Sequence, residues 1–168
     1  MGSGPYTHTK FYIYHPVLLH GIDFNFLTYF ITLRDDLMTN KMVERITSSF
    51  ESQSLMKTLG AKIHKVEKGN VIIEAPFLPT TLQQLGYAHA GLTFSIGDSA
   101  AGYSALTLLP EDQEVMTAEI KINLLAPADG ELFRAEGRVV KLGKRLVVVT
   151  AKIHAIKDGQ SKLIAIMQ

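Results

Sequence analysis

Cysteine is absent from the 168 residues. That removes disulfide scaffolds, thiol nucleophiles, thiolate zinc sites and iron–sulfur clusters in one step, and it suits a reducing, cytoplasmic compartment. An excess of one charge is absent too: 17 Lys and Arg face 16 Asp and Glu, for a net charge of +1. No electrostatic case for a nucleic-acid partner starts from that balance. G-x-G-x-x-G, the Walker phosphate loop and H-E-x-x-H are missing. The six histidines (His8, His15, His20, His64, His89, His154) do not fall at metal-ligand spacing, so no metal is expected, and no cofactor.

A long unbroken hydrophobic run is also lacking. Residues 11–33 are rich in aromatic and aliphatic side chains, but His15, Pro16, His20, Gly21, Asp23 and Asn25 interrupt them. A membrane span needs about 20 nearly continuous apolar residues, so no membrane partner is expected. No A-x-A cleavage site follows the stretch, and Lys10 is the only basic residue before Arg34, which argues against a secretory leader. Residues 1–39 therefore read as an N-terminal extension of unknown role, and 40–168 as one domain. The composition, 46% apolar and 20% charged, is that of an ordinary globular protein.

What is there begins at Asn40, a possible helix cap, with Val43, Ile46 and Phe50 on one face. Leu55, Met56 and Leu59 continue the pattern to a stop at Gly60. Residues 61–67 and 71–76 read as strands joined at Gly69-Asn70, and Pro76 and Pro79 end the pair. Four more strands are expected: 115–124, 131–141, 145–156 and 162–167. Their turns fall at Pro127 with Asp129-Gly130, at Gly143 and at Asp158-Gly159. In 115–124, Met116, Ala118, Ile120, Ile122 and Leu124 alternate with Thr117, Glu119, Lys121 and Asn123, the mark of a half-buried strand. Short turns between successive strands make the sheet antiparallel and the class α+β.

Between the two groups of strands lies AGLTFSIGDSAAGYSALTL, residues 90–108. More than half of it is Gly, Ala or Ser, and Asp98 is its only ionisable carboxylate. A helix without a polar face is a buried helix, and small residues all round admit other backbones closely. Its start, at Ala90 and Gly91, offers backbone N–H groups that could hold a developing oxyanion. Asp98 sits in an apolar segment with no Lys or Arg from residue 69 to residue 120 to pair with it. It does chemistry, faces a solvent-filled groove or bonds a distant Arg. His89 directly precedes the helix and Gln83 lies six residues earlier; each could orient substrate, or His89 could bond a carbonyl structurally. Ser99, in GDSAAG, is one residue out of register for a G-x-S-x-G nucleophile and reads as a small contact residue. Tyr87, Phe94 and Tyr103 read as core filler rather than a pocket lining.

Asp98 is eight residues past Ala90, about 12 Å along an α-helix. A base and an oxyanion donor must both lie within about 3 Å of one reacting group. One helix cannot arrange that, but two antiparallel copies can, so this chemistry requires a twofold dimer.

His89-Ala90-Gly91, six residues, then Asp98, with Gly86 three before the His, resembles the H-G-G-x6-D pattern of the PaaI-like hotdog-fold thioesterases. The segment NLLAPADGELFRAEGRVVKLGKRLVVVTAKI is similar to that family's strand–turn–strand signature. The resemblance covers about residues 50–168. It implies an antiparallel sheet wrapped around a long helix, homodimers or dimer-of-dimers tetramers, and hydrolysis of acyl-CoA. By position it implies Asp98 as general base or nucleophile, the Ala90 amide as oxyanion donor, Gln83 where the family often has Asn, and His89 as a brace of the helix start. Gly91 would help bind substrate, and Lys141, Lys144 and Arg145 are candidates for the phosphates of CoA. Three departures stand out: Ala90 replaces the middle Gly, Gln83 is longer than Asn, and Ala126 before Pro127 lacks a hydroxyl some relatives carry. The first two leave a non-catalytic acyl-CoA binding module as the alternative. A hydratase ranks last, because no His and acidic residue form its motif.

Overall fold

The computed structural model describes residues 24–168. Residues 11–23 of the aromatic stretch, and with them His15 and His20, lie outside the described residues, as does His8. Contacts divide the chain into two units, Met1–Asp36 and Leu37–Gln168. In the first, the described residues are helical, and Tyr29, Ile31 and Leu33 are exposed. No helix among the described residues is long and apolar enough to cross a membrane.

Helix α1 runs Phe24–Ser52, so Asn40 is interior to it and caps nothing. The expected start failed because the polar residues around it do not interrupt the helix. Gln53 then adopts an extended backbone, and a short helix α2 follows at Ser54–Thr58. Gly60 ends α2 at φ +63°. The Ala61 N–H donates to the Met56 carbonyl and the Gly60 N–H to the Lys57 carbonyl, a Schellman closure that a left-handed glycine permits.

Strands β1 (Lys62–Glu67) and β2 (Asn70–Pro76) form the first hairpin. Its turn is Lys68-Gly69, one residue earlier than expected, because Gly69 takes φ +74° while Asn70 already pairs with Glu67. Helix α3 spans Ala90–Leu106. Strands β3 (Ile122–Leu124), β4 (Leu132–Leu142), β5 (Val147–Lys157) and β6 (Gln160–Met167) complete a six-stranded sheet in the order β1-β2-β4-β5-β6-β3. Every pairing is antiparallel. Asp158 and Gly159 both have positive φ, as a two-residue hairpin turn between twisted strands demands.

The sheet bends around α3 and packs it against β2, β4 and β5. Val71, Ile73, Ala75, Phe133, Ala135, Ala151, Ile153 and Ala155 alternate along their strands and are buried. The small residues of α3 do what their pattern implied. A Cβ on Gly137 of β4 would lie 2.2 Å from the Ala100 carbonyl oxygen, so helix and strand touch backbone to backbone. A Cβ on Gly97 would lie 2.2 Å from the Met167 sulfur. The buried Ser104 hydroxyl ties the two layers, accepting from the Val71 N–H at 2.9 Å and donating to the Ala100 carbonyl at 2.7 Å.

The strand expected over 115–124 is a strand only at Ile122–Leu124. Its last backbone pair joins Lys121 to Gln168. Among the described residues, 115–120 have no strand neighbour, and Met116 is 94% exposed. Alternation specifies extended backbone, but a ladder also needs an adjacent edge, which the described residues do not provide there.

Candidate active site

The chain reaches α3 through a tight, self-bonded loop. A short 3-10 turn, Pro79–Thr81, leads to a reversal at Gln83–Gly86, where the Gly86 N–H donates to the Gln83 carbonyl and Gly86 has φ +85°. The Gln83 side-chain oxygen accepts from the Leu85 N–H, so its carbonyl end serves its own turn and only its amide NH2 is free to act outward. The His89 N–H donates to the Thr81 carbonyl at 2.7 Å, which anchors the helix entry.

His89 is the N-cap of α3, extended at φ −65° and ψ 143°. Its Nδ1 accepts from the Gly91 N–H at 2.8 Å. An accepting Nδ1 carries no proton, so the neutral ring holds its proton on Nε2. The Gly91 amide is therefore not free, contrary to the expectation that both first amides would be. A Cβ at Gly91 would come 2.9 Å from Nδ1, which explains the glycine. The Ala90 N–H has no acceptor among the described residues, and Ala90 is exposed. Of the two amides, Ala90 is the one that can receive a ligand oxygen.

Asp98 lies farther along the same helix and is half-buried. Among the described residues no Arg or Lys pairs with it, and the distant Arg that the sequence left open is not there. Instead the Thr117 hydroxyl donates to its Oδ1 at 2.7 Å, leaving Oδ2 without a partner among the described residues. A carboxylate held by one oxygen and open at the other can take a proton from water or attack an electrophile. Thr117 had no mark in the sequence, since it lies nineteen residues away in a stretch read as strand.

Asp98 opens on a cavity of about 1060 Å³ between α3, the end of α1 and the β4–β5 hairpin. Lys144 and Arg145 line it, at the exposed tip of that hairpin. Ala90, Gly91, His89, Gln83 and Lys141 do not. Within one protomer the candidate residues thus form two groups: Asp98 with Lys144 and Arg145, and the helix start with its cap. Phe94 lines the cavity and is 37% exposed, and Tyr87 is equally exposed, so neither is core filler. Tyr103 is buried, edge-on to Phe50 with ring centroids 5.9 Å apart, and its ring is core as expected. Ser99 donates to the Gln53 side-chain oxygen at 3.3 Å, a contact role and not that of a nucleophile. Among the described residues no three His, Asp or Glu gather to hold a metal.

The sequence and fold are similar to those of known proteins. The profile of the thioesterase superfamily matches residues 85–162, which include the helix start, Asp98, Thr117 and the β4–β5 tip. A thioesterase family protein from Silicibacter pomeroyi is 40% identical in its crystal structure, covers 75% of this chain and 93% of its own, and superposes with a TM-score of 0.74. A 1,4-dihydroxy-2-naphthoyl-CoA hydrolase from Listeria monocytogenes is 30% identical over 112 residues, 67% of this chain and 89% of its own. The PaaI protein of E. coli, at 21% identity, shares the fold with a TM-score of 0.68 over 77% of this chain and 91% of its own. The expected α+β hotdog architecture is therefore the observed one, and the chain belongs to the thioesterase superfamily, a thioester hydrolase with the PaaI-like hotdog fold.

Proposed function

We propose that the protein hydrolyses an acyl-CoA to a carboxylic acid and free CoA at two sites shared across a homodimer, alone or paired into a tetramer. The carrying observation is the division of α3: an unpartnered Ala90 N–H at its start, and the open Oδ2 of Asp98 about 12 Å farther on. Oxyanion donor and base must meet on one carbonyl, so each site takes the helix start of one protomer and Asp98 of its partner. The unpaired 115–120 stretch, with Met116 bare, supports this pairing. Laid antiparallel on its twofold mate it would continue the sheet and cover that edge.

In this reading the thioester oxygen sits on the Ala90 N–H, where the positive end of the α3 dipole favours the charge that develops. His89 keeps the helix start in place through Gly91, and the Gln83 amide hydrogen-bonds the substrate. Asp98 takes a proton from water as its oxygen attacks the carbonyl carbon, or attacks directly and is released by water. The carbon–sulfur bond then breaks, and the thiolate of CoA takes up the proton. Lys144 and Arg145, with Lys141 on the same hairpin, hold the phosphates. Residues 40–168 form the hotdog domain and 1–39 an extension to it.

The test is thiol release from acyl-CoA. Asp98→Asn loses about 10³-fold in kcat, the scale of a lost general base, with unchanged circular dichroism. Ala90→Pro loses the oxyanion donor. Mixing the two inactive proteins under subunit exchange restores about a quarter of wild-type activity, because half the dimers are mixed and each has one intact site. No recovery despite demonstrated exchange rejects the shared site.

A further inference from the structure

Beside Asp98 the cavity carries a second group of polar side chains that the mechanism does not use. Gln53 stands at the break between α1 and α2. It is the N-cap of α2, yet its side chain makes no capping bond. It turns to α3 instead: Nε2 donates to the Tyr103 hydroxyl at 2.9 Å, and Oε1 accepts from Ser99 at 3.3 Å. Ser49 shares the Tyr103 hydroxyl at 3.2 Å. All four residues line the same cavity as Asp98, and Ser99 is its chain neighbour. Gln is not among the side chains that cap helix starts well, and here both bonds its amide makes go to α3.

The group has three hydroxyls and an amide, hence donors and acceptors together and no charge. Gln53 retains one N–H and one lone pair beyond its two bonds, and the 3.3 Å contact with Ser99 is long for a hydroxyl donor. The cations that line the cavity near the hairpin, Lys144 and Arg145, belong with the phosphates of CoA, so the acyl group runs the other way, toward α1. An acyl chain ending there meets a neutral donor–acceptor surface. A second carboxylate there would lie close to Asp98 and be repelled. A plain hydrocarbon would leave Gln53 and Ser99 facing an apolar surface, with their spare capacity unpaired.

Resting on the acyl-CoA reading above, we infer that Gln53, with Ser49, Ser99 and Tyr103, is a specificity determinant that selects acyl groups bearing a neutral hydroxyl over plain hydrocarbon chains. The experiment compares kcat/KM for matched pairs that place the hydroxyl near and far from the thioester: 3-hydroxybutyryl-CoA with butyryl-CoA, and 6-hydroxyhexanoyl-CoA with hexanoyl-CoA. Wild type favours the hydroxylated member of at least one pair by about tenfold, one satisfied neutral hydrogen bond. Gln53→Leu brings that ratio to near one. Should Gln53→Leu fail to fold, Tyr103→Phe and Ser99→Ala carry the same test, since each removes one hydroxyl and keeps the packing. Ratios near one in wild type for both pairs, or a ratio unmoved by these variants, overturn the inference while leaving thioester hydrolysis in place. Absence of turnover with every thioester instead overturns the reading on which it rests.

Discussion

The two faces of α3 share one backbone and one composition but answer to different demands. The inner face, with Ile96, Gly97, Ala100 and Ser104, is sealed against the sheet: a Cβ on Gly97 would strike the Met167 sulfur, and one on Gly137 of β4 would strike the Ala100 carbonyl oxygen. The outer face, with Phe94, Asp98, Ser99 and Gly102, borders a cavity and keeps a carboxylate that the core could not tolerate. The inner face holds the helix still, and the outer face can therefore present a half-satisfied carboxylate in one orientation. Substitutions on the inner face should cost stability, while those at the functional positions should cost rate.

Ala90→Pro breaks that comparison most sharply. Ala90 is the first helical residue, where proline is well tolerated because the N–H has no intrahelical partner. His89, extended at ψ 143°, already has the backbone that a residue before proline prefers. The substitution removes one N–H and little else. It should lower kcat by about 10²- to 10³-fold, as loss of an oxyanion donor does, while the unfolding free energy from urea titration stays within about 0.5 kcal/mol of wild type. A midpoint that collapses along with the rate would show that the helix start matters only as structure.

Gly137→Ala is the opposite case. The added methyl would enter the space of the Ala100 carbonyl and the Ser104 hydroxyl, so β4 and α3 must part. Overpacking of this kind costs about 1–3 kcal/mol, read as a lower urea midpoint. Thr117→Val sharpens the comparison from the rate side. It keeps the shape but removes the donor to Asp98 Oδ1, and should cost about tenfold in kcat, the scale of one hydrogen bond to a charged group. Thr117 is exposed, so its stability effect should be small.

Legibility in the sequence followed the range of the interactions. Helix α3 stood out because a run of Gly, Ala and Ser with one carboxylate has no polar face, which is a local property. The hairpin turns at Gly69 and at Asp158-Gly159 depend on single positive-φ residues and were placed within one residue. The helix start at Asn40 was wrong because a cap residue terminates nothing when helix-compatible residues precede it. The partner of Asp98 was invisible because the path of residues 109–117 depends on Arg45. That side chain binds the carbonyls of Leu109, Pro110 and Gln113 from a distant helix. Gln53 was hidden for a similar reason: the apolar spacing runs on through residue 59, and nothing in it announces a break between α1 and α2.

The smallest expected effect concerns the outer surface of the sheet, away from both faces of α3. Burial pushes the His154 pKa below its ordinary 6.5, with Lys152 and Arg134 adding to the shift and Glu136 opposing it. Glu136 is itself held below its ordinary 4.5, first by its hydrogen bond from Arg138. Both groups bind protons less readily in the folded chain than in the unfolded one. The unfolded state therefore takes up more protons as pH falls, and stability declines. The His154 contribution is fully present above the unfolded value and begins to fade as pH drops through about 6.5; that of Glu136 fades only below about 4.5. Urea midpoints measured from pH 8 to pH 4 should show a shallow decline that starts near neutrality and steepens at the acid end. His154→Gln should remove the first part and leave the second. Since neither group reaches the Asp98 cavity, thiol-release rates at fixed pH should be the same in His154→Gln and wild type. A variant that changed the rate but not the midpoint profile would mean that the outer surface of the sheet is coupled to the site, and the separation of roles drawn from α3 would not extend to the rest of the fold.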